Sequence, residues 1–290
     1  LYFSVLGFMQ ILFIFLAFKE RKVYLPLICF VLILSGIAME GFMNGIRQTI
    51  AFSIFVYSIK YVIRRSPFRY YVCILMAFMF HKSALLLIPI YFIKYPLFSN
   101  VGLQLVLLIV SFLLMFFNPL ESIVSNIGYL AGLLGYGGYL DLSMQSFLIG
   151  ENTVGLGTFI KLIIYIVIIL KSVDVKKFYS DKMLDIMYDL FLIGVFLSYI
   201  FKGSMLLNRA ILYFSYMEIF VMAYVLYYFY KNRNNKRVLF CFIFFFTYMV
   251  YTFCNIMSMS EFNTTQYVFY FQDNLHYLKD YQRDQMLFNN

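Results

Sequence analysis

Nine apolar runs, broken by short charged segments, set out this chain: roughly residues 1–18, 23–39, 48–63, 69–93, 98–117, 158–170, 183–201, 210–230 and 238–254. Many approach the ~20 residues that a helix needs to cross ~30 Å of hydrocarbon. They predict an all-α, polytopic integral membrane protein of about nine hydrophobic segments. The breaks between runs are basic. Lys19-Glu20-Arg21-Lys22, the stretch 64–69, Lys171 to Lys182 and Lys231 to Arg237 are the main clusters. Cytoplasmic loops carry such an excess of Lys and Arg, so all four are assigned to one side.

That assignment constrains the fourth run. Were 69–93 to cross once, every later basic cluster would fall on the wrong side. The orientation is restored if His81-Lys82-Ser83 is a turn, with 69–80 entering and 84–93 returning towards Lys94. Each arm then measures ~15–18 Å of helix, about half a bilayer. The expectation is a broken or re-entrant hairpin, whose irregular backbone must be covered by protein or line a wet cavity. A single crossing, with a different count elsewhere, is the alternative. On the hairpin reading, Arg47, Lys82 and Arg209 lie on the outer side.

Two further segments fall outside by this count. Residues 118–157 open with Asn118-Pro119-Leu120-Glu121, which reads as an N-cap, Pro at the first helical position and Glu reaching back. A short interfacial helix to about Leu134 is expected, ending at Gly135, then an aromatic turn at Tyr136-Gly137-Gly138-Tyr139. The tail 255–290 is more polar, which divides the chain into a membrane domain, 1–254, and a tail. Asn263-Thr264-Thr265 matches a glycosylation acceptor, a three-residue pattern of low specificity. The chain begins at Leu1, inside an apolar run, and is read as lacking an N-terminal portion.

Composition agrees with the class. The chain is 63% hydrophobic and 13% charged, with mean hydropathy +0.82; a soluble domain carries about 25% charged residues. The net charge of +9 sits in loops between apolar runs, which is not a nucleic-acid footprint. The excess of Phe and Tyr, without Trp, is read as compositional bias. Cys29, Cys73, Cys241 and Cys254 form no CxxC pair, so neither zinc nor a disulfide framework is expected. The two histidines have no carboxylate cluster nearby, and no metal-ligand set is visible. No P-loop, GxGxxG, HExxH or GxSxG occurs, which removes support for nucleotide-driven chemistry and hydrolase triads.

The candidate chemistry is cationic. Arg47-Gln48 opens an apolar run, where the positive end of a helix dipole disfavours a guanidinium unless an anion sits against it. Arg47 reads as a fork for phosphate or carboxylate, or as an arginine snorkelling into headgroups. Arg209 repeats the arrangement, and two such arginines could hold a diphosphate. His81 could act as general base or phosphate donor, or could cap the broken backbone. His276 reads as a surface residue. Glu218, well inside a run, is expected to face the bundle interior and pair. Asp185 and Asp189 are expected at the interface or paired with Lys182, and Lys60 and Lys161 to snorkel. Asp141 and Glu151, with Tyr136 and Tyr139, could bind sugar or lie in an ordinary solvated loop.

At Asn44-Gly-Ile-Arg47-Gln48-Thr-Ile-Ala51 and again at Phe80-His81-Lys82-Ser83-Ala84, the chain resembles the EpsG family, which groups with Wzy-type polysaccharide polymerases. Asn208-Arg209, ahead of an aromatic-rich run, is similar to a later element of that family, and the resemblance spans about 1–230. It implies a glycosyltransferase of the bacterial cytoplasmic (inner) membrane, acting at its outer face on polyprenyl-diphosphate-linked oligosaccharide repeat units. Capsule, O-antigen or exopolysaccharide would be the product. The resemblance also implies no cofactor or metal, no nucleotide sugar, and a chain-length regulator and a flippase as partners in the lipid membrane. Arg47 and Arg209 would stabilise the departing diphosphate, and His81 would activate the acceptor hydroxyl or grip its phosphate. Asn44, Gln48, Lys82 and Asn208 would orient substrate, with Tyr136 and Tyr139 on sugar. The family's further N-terminal segments, with an acidic, Tyr-containing outer element, are not in this sequence. A lipid-linked oligosaccharide flippase would instead line a path through both leaflets with charge. A sugar O-acyltransferase would need a histidine facing the cytoplasm.

Overall fold

The structure is a computed structural model that describes residues 2–20, 25–34, 45–117, 154–202 and 211–258. It is helical throughout, with no strand among the described residues. In chain order the helices are α1 (Tyr2–Phe18), α2 (Leu25–Leu34), α3 (Ile46–Ile63), α4 (Pro67–Phe80) and α5 (Val101–Leu114). Then come α6 (Leu156–Tyr179), α7 (Lys182–Ile200), α8 (Met217–Lys231) and α9 (Lys236–Ser258). A 3-10 arm, Lys82–Phe92, follows α4, and a short 3-10 turn, Met115–Phe117, follows α5. Four helices are long and apolar enough to cross a membrane: α6, α7, α9 and the span Ile211–Lys231 that contains α8. Four of the expected nine or so hydrophobic segments are thus full-length candidates among the described residues; other apolar helices, such as α1, α4, the 3-10 arm and α5, are shorter.

The chain reverses at His81. Its backbone is extended, with φ −151° and ψ 123°, which ends α4 and starts the 3-10 arm. The arm runs back along α4, so that Tyr91 packs on Tyr70 and Tyr71 with ring centroids 5.4 and 5.7 Å apart. An 11-residue 3-10 helix is long for its kind, because its hydrogen-bond geometry is poorer than that of an α-helix. Pro89 inside it removes one more donor. Side chains compensate: the Tyr70 hydroxyl donates to the Leu87 carbonyl at 2.7 Å, and Arg65 donates to the Tyr91 carbonyl at 3.3 Å. Tyr95 reaches the Ile90 carbonyl at 3.5 Å. With 1.5 Å per residue in α4 and about 2 Å in the arm, both limbs reach ~21 Å, somewhat longer than the sequence suggested.

This reversal gathers the basic clusters at one end of the bundle. Arg64 lies 4.0 Å from Glu20, and Lys19, Lys60, Arg64 and Met183 line one small cavity of about 300 Å³. Phe178, at the end of α6, packs on Tyr228 near the end of α8. The turns there use left-handed backbone at Arg65 (φ 51°) and Ser180 (φ 50°), a conformation that commonly closes helix C-termini. Lys60 does not simply snorkel; its ammonium sits 3.4 Å from the Tyr57 ring centroid.

Helix α3 is the buried centre, with Phe52 and Phe55 wholly enclosed. The aromatic residues that looked like compositional bias fill the seam between α3 and α8. Phe18 stacks on Phe220 at 5.1 Å, Phe52 meets Tyr216 edge-on at 5.5 Å, and Phe55 meets Tyr213 at 6.5 Å. Polar residues on α3 survive burial by bonding locally: Ser53 donates to the Thr49 carbonyl at 2.9 Å, and Ser58 to that of Phe55 at 2.7 Å. Gln10 on α1 donates to Thr49 Oγ1 at 2.6 Å, which pins α1 to the start of α3.

At the basic end a polar clamp joins α5, α6 and α7. Asp189 is wholly buried and accepts the Leu97 N–H at 2.6 Å. Lys176 lies 3.8 Å from both Asp185 and Asp189, and 4.2 Å from the Tyr188 ring centroid. The aspartates therefore pair with Lys176 across the α6–α7 interface, not with Lys182. The reason is packing: α6 and α7 form an antiparallel hairpin, which brings Lys176 opposite both i and i+4 positions.

Candidate functional site

Two polar groupings lie at the end away from the basic clusters. The first is at the apex of the α4 hairpin. His81 Nδ1 is 2.6 Å from Ser83 Oγ, which in turn donates to Tyr213 Oη at 3.2 Å. The ring is held through Nδ1, and the tautomer decides which of Nδ1 and Ser83 Oγ donates in the shorter contact. The backbone N–H of Ser83 also approaches Nδ1, at 3.4 Å, the weaker of the two contacts. The histidine is half-buried and caps the broken backbone, accepting from the Ser83 N–H.

The start of α3 shares this end, since α3 and α4 are antiparallel neighbours of similar length. Arg47 is exposed there and makes no ion pair among the described residues, whereas Gln48 beside it is buried at 6% exposure. Gly45 caps the helix without a side-chain bond. Lys82 is exposed at the hairpin apex. Asn44, Asn208, Arg209, Tyr136 and Tyr139 lie outside the described residues, as do Asp141, Glu151, His276, the acceptor match at Asn263 and the interfacial helix expected after Asn118. The loop anticipated to reach 157 gives way earlier, because α6 already starts at Leu156.

The second grouping is a cavity of about 620 Å³ enclosed by the far ends of α6, α7, α8 and α9. Glu218 accepts from Tyr165 Oη at 2.9 Å and pairs with Lys161 at 3.3 Å. The sequence pointed to a buried partner for Glu218 but had Lys161 snorkelling; instead it turns inward to that carboxylate. Both remain open to the cavity, with side chains 43% (Lys161) and 17% (Glu218) exposed. Ser198 and Ser215 face each other at 3.0 Å. Tyr199 is 7% exposed, and its hydroxyl has no hydrogen-bond partner among the described residues. Lys202 on the rim reaches Thr158 at 3.4 Å, and partial burial lowers its pKa from the usual lysine range. An added Cβ at Gly155 or Gly157 would meet nothing within 4 Å, so the mouth is open. At Gly194 it would come 2.5 Å from the Phe214 carbonyl carbon, so α7 and the helical turn ahead of α8 touch there because glycine permits it.

Sequence reasoning missed Tyr213, Tyr199 and Gln10. Tyr213 follows Arg209 by four positions, the spacing of one helix face, which is the only signal it offered. Tyr199 and Gln10 sit among apolar residues with nothing to distinguish them.

These features define a multi-pass membrane protein whose candidate chemistry sits at the end opposite its basic loops. A family model described as the EpsG family matches residues 1–270, and the chain belongs to that family, a Wzy-type polymerase-like group. No curated protein and no solved structure matches the chain.

Proposed function

We propose that this protein is a membrane polysaccharide polymerase that joins polyprenyl-diphosphate-linked oligosaccharide units at the outer face of the cytoplasmic membrane. Family membership and the helical membrane architecture support the general class. The observation that carries the reaction is the His81–Ser83–Tyr213 chain at the same end as exposed Arg47. In this reading His81 Nε2 accepts the proton of an acceptor hydroxyl, whose oxygen attacks the anomeric carbon of the donor unit. The bond from that carbon to the polyprenyl diphosphate breaks, and the diphosphate leaves with the electron pair. Arg47 stabilises the developing charge, which is where preorganised cations contribute most. Ser83 and Tyr213 fix the imidazole. Gln48, Asn44, Lys82, Asn208 and Arg209 complete the substrate grip in this proposal, with Tyr136 and Tyr139 on sugar.

The transport reading has less support. Helix α6 carries Lys161 near one end and Lys176 near the other, ~22 Å apart along the axis. Between them Ile164, Ile168 and Ile169 are buried, so α6 offers no continuous charged path.

The test is polymerisation of purified lipid-linked repeat units by the full chain, with and without chelator. Arg47→Ala is expected to slow chain extension by roughly 100-fold or more, while single units still reach the outer leaflet, and wild-type activity should persist in chelator. Disappearance of those units from the outer leaflet would point to transport and overturn the reading.

A further inference from the structure

We propose that the cavity between α6, α7, α8 and α9 is a saccharide-binding site distinct from the His81 centre. Its ligand class comes from the cavity alone and would stand were the polymerase reading to fall. At about 620 Å³ it lies within the ~300–1,000 Å³ range of small-molecule sites. Its lining sets Lys161 and Lys202 against Glu218 and is otherwise rich in hydroxyl groups. Lys161 is already neutralised by Glu218 at 3.3 Å, and that same carboxylate would repel a phosphate entering beside it. An acyl chain would strip solvent from this ion pair and from the serine hydroxyls, which is costly. A neutral polyol satisfies all of them. Sugar hydroxyls can donate to Glu218, which retains exposure to the cavity, and can exchange bonds with Ser198 and Ser215.

The absence of tryptophan from the chain permits a direct measurement. Tyr251 lines the cavity from α9 and is 61% exposed, so Tyr251→Trp places a single indole at the rim. The full chain in lipid nanodiscs would be titrated with three probes: repeat-unit oligosaccharide released from its lipid, inorganic pyrophosphate, and polyprenyl phosphate. A saturable emission change with the oligosaccharide alone is expected. Adding Glu218→Gln should weaken that response by about tenfold, the equivalent of one lost hydrogen bond, with little change in the unfolding temperature. A response only to pyrophosphate or polyprenyl phosphate, no response to oligosaccharide, or an unchanged affinity in Glu218→Gln would overturn the proposal. Polymerisation reports on Arg47 and His81 and emission reports on this cavity, so each reading can fail alone.

Discussion

Helix α6 carries an ion pair near each end, and the two are built differently. At the basic end Lys176 meets Asp189 in a packed interface, with Leu97 N–H at 2.6 Å from the carboxylate and the Tyr188 ring against the ammonium. At the far end Lys161 meets Glu218 beside a 620 Å³ cavity, with both side chains partly open to it. The same residue types thus serve two ends. Where the surroundings are filled, the pair fixes the loop 93–100 and the α6–α7 hairpin. Where they are open, the pair lines a space that a ligand can enter. Charge within an apolar run says that a polar partner exists; packing around the pair says whether it holds the fold or meets a substrate.

Three substitutions sharpen that contrast, in descending order of effect on stability. Asp189→Ala leaves the Leu97 N–H without its acceptor in a closed interface and Lys176 with Asp185 alone. It should cost about 3–5 kcal/mol, read as a large fall in the unfolding temperature in detergent. Gly194→Ala puts a methyl carbon 2.5 Å from the Phe214 backbone, so α7 and the turn ahead of α8 must separate. A loss of about 1–3 kcal/mol is expected, together with altered sugar response, since this contact floors the cavity. Glu218→Gln, by contrast, should change stability by less than about 1 kcal/mol, because the pair is partly exposed, yet should weaken the indole response to oligosaccharide. Equal destabilisation by Asp189→Ala and Glu218→Gln would erase the distinction between the two ends.

Much of the architecture was legible in the chain. The positive-inside pattern favoured a reversal within 69–93 over a single crossing, and His81 is where the backbone breaks. Glu218, isolated in an apolar run, announced a partner. What could not be read was which lysine answers it, because the spacing between Lys161 and Glu218 reflects how α6 and α8 lie together, not any local period. The same holds for Asp189, whose partner Lys176 lies across a hairpin. The 3-10 form of the return arm was equally hidden, since Lys82–Phe92 is simply apolar in sequence, and only Pro89 hints at irregular winding. The relay to Tyr213 joins residues 130 apart, beyond any pattern of spacing.

The winding of that arm also works as a ruler. Eleven residues wound as 3-10 span ~5 Å more than the same residues wound as an α-helix, and this stretch lets a shorter limb match the fourteen residues of α4. Rewinding the arm as an α-helix would draw the imidazole about that far towards the basic loops and away from Tyr213. The height at which His81 meets its surroundings is therefore set by how Lys82–Phe92 is coiled, as much as by how many residues it has.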